Sequence, residues 1–132
     1  MTRKSKRARE IYTLSDLQNW RAISRELQPP IRLGVFGDPV AHSLSPKIQN
    51  AALKHHKIDV QYTAFQIASN ELPDALRLVR ELDFIGVNLT VPHKIAALAD
   101  VDDVDVAARK IGAVNTVAIR DGKLVGFNTD AV

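Results

Sequence analysis

The chain has 132 residues, 45% of them hydrophobic and 25% charged, with no cysteine. That is the size and composition of one globular domain able to bury a core; it excludes disulfide staples and thiolate metal sites, and no apolar run approaches the ~18 residues of a membrane-spanning helix. The net charge of +3 is local: Arg3, Lys4, Lys6, Arg7 and Arg9 against Glu10 put +4 into the first ten residues, so the other 122 sum to −1, which argues against nucleic acid as a partner of the domain.

Residues 1–10 read as a disordered basic tail. No apolar segment follows them in the manner of a secretory signal, so a cytoplasmic, membrane-free protein is expected. Ile11, Leu14, Leu17, Trp20, Ile23 and Leu27 recur at helical spacing and predict one amphipathic helix over 11–27. Thr13 or Ser15 would cap it, and Pro29-Pro30 would end it. Residues 1–30 are thus read as an appendage to a domain over 31–132.

Ile31–Gly37 reads as a buried strand ending in glycine. A loop follows, and Ser45-Pro46 starts a helix to about His56, with Ser45 as N-cap and Pro46 at the first helical position. Ile48, Ala51, Ala52 and His55 would form its inner face. Val60–Phe65 alternates as a second strand. Ser69 or Asn70 opens a helix carrying Leu72, Ala75, Leu76, Val79 and Leu82. Phe84–Thr90 is a third strand, and Pro92 starts a short helix. Asp102 or Asp103 would cap a helix ending near Gly112. Ala113–Ile119 and Leu124–Asn128 flank Asp121-Gly122, the signal of a type I′ hairpin turn. That turn sets a register in which paired residue numbers sum to 243, so Asn115 lies opposite Asn128. The expected fold is α/β, a three-layer sandwich with a mostly parallel mixed sheet ending in a β-hairpin.

In an open parallel sheet, ligands sit beyond the carboxyl ends of the strands. There the first strand delivers His42, Ser43 and Ser45. The third delivers Asn88, Thr90 and Lys94, with Asn88 and Thr90 on one side because they are two apart. The hairpin's open end offers Asn115, Asn128 and Asp130. Hydroxyls and amides donate and accept, which suits a small polyhydroxylated acid. Singly, each residue has a plainer use: Ser45 as a cap, Asn88 and Thr90 as strand-end groups, Lys94 as a solvated cation. His42, His55, His56 and His93 show no metal spacing. None of the six glycines forms the Gly-x-Gly-x-x-Gly of a dinucleotide site or a P-loop.

Four segments in order resemble the shikimate dehydrogenase family: Gly37–Pro46 (GDPVAHSLSP), Asn88–Lys94 (NLTVPHK), Gly112–Thr116 (GAVNT) and Gly126–Asp130 (GFNTD). The resemblance covers about residues 31–132 and implies a substrate-binding catalytic domain. It makes Lys94 and Asp130 the catalytic pair. It assigns Ser43, Ser45, Thr90 and Asn115, with Asn88 close by, to the substrate shikimate. It implies NADP-dependent oxidation of a ring hydroxyl to the ketone, in aromatic amino acid biosynthesis. NADP would be held by a C-terminal Rossmann domain absent from this chain, so the chain alone is expected to be inactive. Three features depart from the pattern: the end at Val132, Ala131 where glycine is usual, and the additional residues 1–30. A stand-alone, non-catalytic module binding shikimate or quinate is the competing expectation. A homodimer is left open. Nucleic-acid binding through residues 3–9 is disfavoured, because no aromatics interleave the charges.

Overall fold

The computed structural model describes residues 8–130. The expected tail cations Arg3, Lys4, Lys6 and Arg7, and Ala131, lie outside the described residues. Seven strands form one sheet: β1 (Ile11–Thr13), β2 (Ile31–Gly37), β3 (Gln61–Gln66), β4 (Gly86–Leu89), β5 (Asp103–Val104), β6 (Thr116–Arg120) and β7 (Lys123–Phe127). Their order is β1-β3-β2-β4-β6-β7-β5. Four neighbouring pairs are parallel; β4–β6 and β6–β7 are antiparallel. The helices are α1 (Leu14–Gln18), α2 (Trp20–Ser24), α3 (Ser45–His55), α4 (Leu72–Glu81), α5 (His93–Ala96) and α6 (Val106–Ile111).

The mixed, mostly parallel α/β sandwich is the expected one. Successive side chains of a strand point to opposite faces, and the sheet sorts them accordingly. Phe36, Phe65, Val87, Leu89, Val117 and Leu124 face a large apolar core with Leu72, Leu76 and Val79 of α4 and Ala108 of α6. Val35, Tyr62 and Ala64 face the other side and pack with Val40 and Leu53 beneath α3. The hairpin has the predicted register, Thr116 opposite Phe127 through Arg120 opposite Lys123. Asp121 and Gly122 take the positive φ values, 52° and 74°, that a type I′ turn demands.

The single helix expected over 11–27 is instead a strand and two short helices. Ile11–Thr13 joins the outer edge of β3, Ile11 opposite Ala64. Thr13 then caps α1 in a reciprocal box: its hydroxyl accepts from the Asp16 N–H, and the Asp16 carboxylate accepts from the Thr13 N–H at 2.8 Å. The apolar spacing of three survives because two short helices satisfy it as well as one long helix. Tyr12, Leu17, Trp20 and Leu27 are buried in the same core as Phe36 and Phe65, so the segment read as an appendage supplies part of the core.

Two further expectations are corrected. The cap of α6 is Asp105, whose carboxylate accepts from the Ala107 N–H at 3.2 Å. Asp102 instead accepts from the Leu124 N–H at 2.7 Å, and Asp103 begins a strand that pairs with β7. In α3 the inner face is Pro46, Asn50 and Leu53, while Ile48 is 61% exposed and Ala51, Ala52 and His55 also face solvent. Asn50 decides this orientation. Its amide takes the Tyr62 N–H at 2.8 Å and gives to the Tyr62 carbonyl at 2.7 Å, satisfying backbone groups of β3 beyond the reach of β1.

Candidate functional site

The site lies on the α3 side of the sheet, toward the carboxyl ends of β2 and β4. Ser43 and Ser45 stand at the head of α3. Leu44 occupies the N-cap position, so Ser45 lies inside the helix and does not cap it. The Ser43 hydroxyl takes the cap-like role, accepting from the Ser45 N–H at 3.3 Å. The Ser45 hydroxyl lies close to the Tyr62 phenol, where it opposes in part the rise of the phenol pKa that burial causes.

Thr90 follows β4 and continues its ladder, its N–H donating to the Phe36 carbonyl at 3.0 Å. Its methyl group lies over Gly37. A Cβ at Gly37 would sit 2.5 Å from Thr90 Cγ2, inside any van der Waals contact. Glycine at the end of β2 is what lets Thr90 approach.

Lys94 is the second residue of α5 and is half-buried. Its helix is tied down on both sides. The Lys94 carbonyl accepts from the Val114 N–H at 2.7 Å. His93, fully buried, donates from Nε2 to the Ile67 carbonyl at 2.7 Å, just past β3. The Lys94 ammonium forms no ion pair with another described residue, so its charge is available to a ligand.

Asn88, Asn115 and Asp130 are joined by hydrogen bonds that cross three elements. The Tyr62 phenol donates to Asn88 Oδ1 at 2.8 Å. Asn88 Nδ2 donates to the Thr116 hydroxyl at 3.0 Å, and Thr116 donates to Asn115 Oδ1 at 3.0 Å. Asn115 Nδ2 then reaches the Asp130 carboxylate at 3.1 Å. The antiparallel register places Asn88 directly opposite Thr116. Asn128 is not paired with Asn115, whose N–H donates to the Phe127 carbonyl at 3.0 Å; its Oδ1 accepts from the Asp130 N–H at 3.0 Å and so shapes the turn that aims Asp130.

The structure therefore joins Asn88, Asn115 and Asp130 in one network with Tyr62 and Thr116, and places Thr90 on the same side as Asn88. Lys94 is connected through its backbone, since the Val114 that it binds precedes Asn115. Ser43 and Ser45 sit at the margin of the network, bonded to each other, with Ser45 close to the Tyr62 phenol. Tyr62 and Thr116 are members that sequence reasoning passes over. Tyr62 stands as an ordinary residue of an alternating strand, and only the β3–β2–β4 order brings its hydroxyl to Asn88. A cleft of about 610 Å³ between residues 8–11 and the start of α3 touches the network only at Ser43 and Tyr62; the other polar groups line an open edge. Among the described residues no cluster of His, Asp and Glu could hold a metal ion. No described helix is long and apolar enough to cross a membrane.

The α/β domain thus gathers serine and threonine hydroxyls, carboxamides, a carboxylate and an ammonium without an ion pair among the described residues at its strand ends, which defines it as an α/β domain with a polar strand-end site. Comparison with known proteins narrows the class. The profile of the shikimate dehydrogenase substrate binding domain matches residues 35–117, and the chain belongs to that family. The NADP-dependent shikimate dehydrogenase of Bacillus anthracis is 46% identical over 99 residues, covering 75% of this chain and 36% of the relative. Shikimate 5-dehydrogenase of Thermus thermophilus, solved with NADP(H) and shikimate, superposes with a TM-score of 0.73 at 49% identity, over 76% of this chain and 38% of that one. The 5-ketofructose reductase of Gluconobacter sp. strain CHM43 superposes equally well, with a TM-score of 0.74 at 39% identity, over 76% and 36%. The chain spans little more than a third of the length of these relatives.

Proposed function

We propose that this chain is the shikimate-binding part of an NADP-dependent shikimate dehydrogenase, with Lys94 and Asp130 as its catalytic pair. Ser43, Ser45, Asn88, Thr90 and Asn115 recognise the substrate's hydroxyls and carboxylate. The observation that carries this reading is the network ending on Asp130 through Asn115, next in the chain to Val114, whose N–H binds the carbonyl of the half-buried Lys94.

NADP does not fit the residues of this chain. No loop has the glycine pattern that cradles a pyrophosphate. The cofactor belongs to a separate domain. What falls to this chain is positioning and the proton. Oxidising a ring hydroxyl to a ketone removes the hydroxyl proton, and the role of taking it falls to Lys94. Asp130, held by Asn115, orients the reacting hydroxyl and the lysine.

The test is an assay of the whole encoded polypeptide for shikimate-dependent reduction of NADP. Activity is expected, and Lys94→Ala should lower turnover by about 10²-fold or more with the fold intact. No shikimate-dependent reduction would overturn the reading. The likeness to 5-ketofructose reductase supplies the second reading, a polyhydroxylated ketone without a carboxylate. Reduction of 5-ketofructose in preference to 3-dehydroshikimate would establish it.

A further inference from the structure

A backbone N–H can only donate, and one such group fixes the direction of the whole network. The Thr129 N–H lies 2.9 Å from the Asn115 side chain, so the atom it meets is Oδ1. Asn115 Nδ2 then faces Asp130 and the Thr129 hydroxyl, both at 3.1 Å. The Thr116 hydroxyl, 3.0 Å from the same Oδ1, must direct its only proton there. It keeps lone pairs alone for Asn88, so the Asn88 atom at 3.0 Å is Nδ2. Asn88 Oδ1 is thereby turned to the Tyr62 phenol, which has to donate. Each choice forces the next, from the turn after β7 through β6 and β4 to β3.

We propose that Tyr62 is a positioning residue of this site: its hydroxyl is the terminal donor that holds Asn88 and, through Thr116 and Asn115, the Asp130 carboxylate in one orientation. The ring reaches Asn88 across β2, packed on Val35, Val40 and Ala64. Asn115 has both N–H groups and its carbonyl engaged internally, so its first task is to hold Asp130. Among the described residues only one Asn88 N–H has a partner, so the other meets a ligand oxygen as a donor. Burial pushes the Tyr62 phenol pKa well up, against a smaller opposing effect from the Ser45 hydroxyl, so the donor persists through neutral and mildly alkaline pH.

The inference rests on the shikimate reading only for what the oriented groups recognise, and the test has a ligand-free arm for that reason. Tyr62→Phe keeps the buried ring and removes one proton. In the 132-residue chain without ligand, the side-chain amide signals of Asn88 and Asn115 should shift and exchange faster by NMR, while backbone signals away from the site stay in place. Thr116→Val, which cuts the same network without touching Tyr62, should move the same signals. With shikimate, calorimetry should show Tyr62→Phe weakening binding about three- to tenfold, the scale of one hydrogen bond. In an Asn88→Ala background the same change should cost less than about twofold, because Tyr62 acts through Asn88. Unmoved side-chain amide signals would overturn the proposal, as would fully additive losses in the double variant. If the parent chain binds no shikimate, the substrate reading fails, and the NMR arm alone decides the role of Tyr62.

Discussion

The two faces of the sheet are made by alternate residues of the same strands, and they do opposite work. On one face, Phe65 packs its ring against Tyr12, Trp20, Phe36 and Phe84 with centroids 5.6–5.9 Å apart, and Val87 and Leu89 close the layer. On the other, the residue between Val87 and Leu89 is Asn88, tied to Tyr62 and Thr116. The apolar face is covered by helices and holds the fold. The polar face is covered by α3 over β3 and β2 only, and is open where Asn88, Thr116 and Asp130 lie. A period of two thus lets one short strand serve stability and recognition at once, with little interference between them.

That separation can be broken first from the apolar side. Phe65→Ala leaves a cavity among four aromatic rings and should cost about 3–5 kcal/mol of stability, read as a large drop in the thermal midpoint. At temperatures where the variant remains folded, its shikimate affinity should be close to that of the parent. A proportional loss of affinity would show that the two faces are coupled.

The polar side is broken with less effect on the fold. Gly37→Ala places a methyl group 2.5 Å from Thr90 Cγ2 and should displace Thr90, weakening shikimate binding by about tenfold. Thr90→Ser removes the clashing methyl and keeps the hydroxyl, so the double variant should recover most of the loss. Failure of the rescue would place the effect of Gly37 somewhere other than Thr90.

The smallest expected effect is electrostatic and lies outside both faces. Burial raises the Asp100 carboxyl pKa, so the folded state holds its proton more tightly than the unfolded chain does. Its contribution is therefore intact below the ordinary carboxylate range and declines as pH rises through the raised value. Asp100→Asn should flatten that decline, giving a slightly higher thermal midpoint at neutral pH and none at pH 3. Denaturation curves across pH 3–7 would check the sign.

Much of this is legible in the residues because the signals are local. The hairpin register follows from Asp121-Gly122 alone and holds from Arg120–Lys123 to Thr116–Phe127; the Asn115–Asn128 pairing that it implies does not form, because the Asn115 N–H donates to the Phe127 carbonyl and ends the ladder. The strand-to-helix alternation gives the sheet class, and Asn88 and Thr90 lie on one side as their spacing requires. What is not legible depends on pairing between distant segments. Nothing in Ile11–Thr13 announces that β3 has a free edge for it to join. The inner face of α3 escapes a reading by apolar spacing, which favours Ile48 and Ala52, because the helix is oriented by a polar residue, Asn50, reaching the Tyr62 backbone. Ser45 has the sequence context of a cap, yet the turn places Leu44 there and Ser43 beneath the helix. Tyr62 and Thr116 gain their meaning only from strand order, which brings β3, β4 and β6 into one row.

The claim that the polar face alone recognises the substrate is tested most directly by titrating shikimate into the 132-residue chain in a calorimeter, with Lys94→Ala beside it. Saturable one-to-one binding that weakens in the variant, with the thermal midpoint unchanged, is the predicted result. A chain that unfolds cooperatively but takes up no shikimate would contradict it.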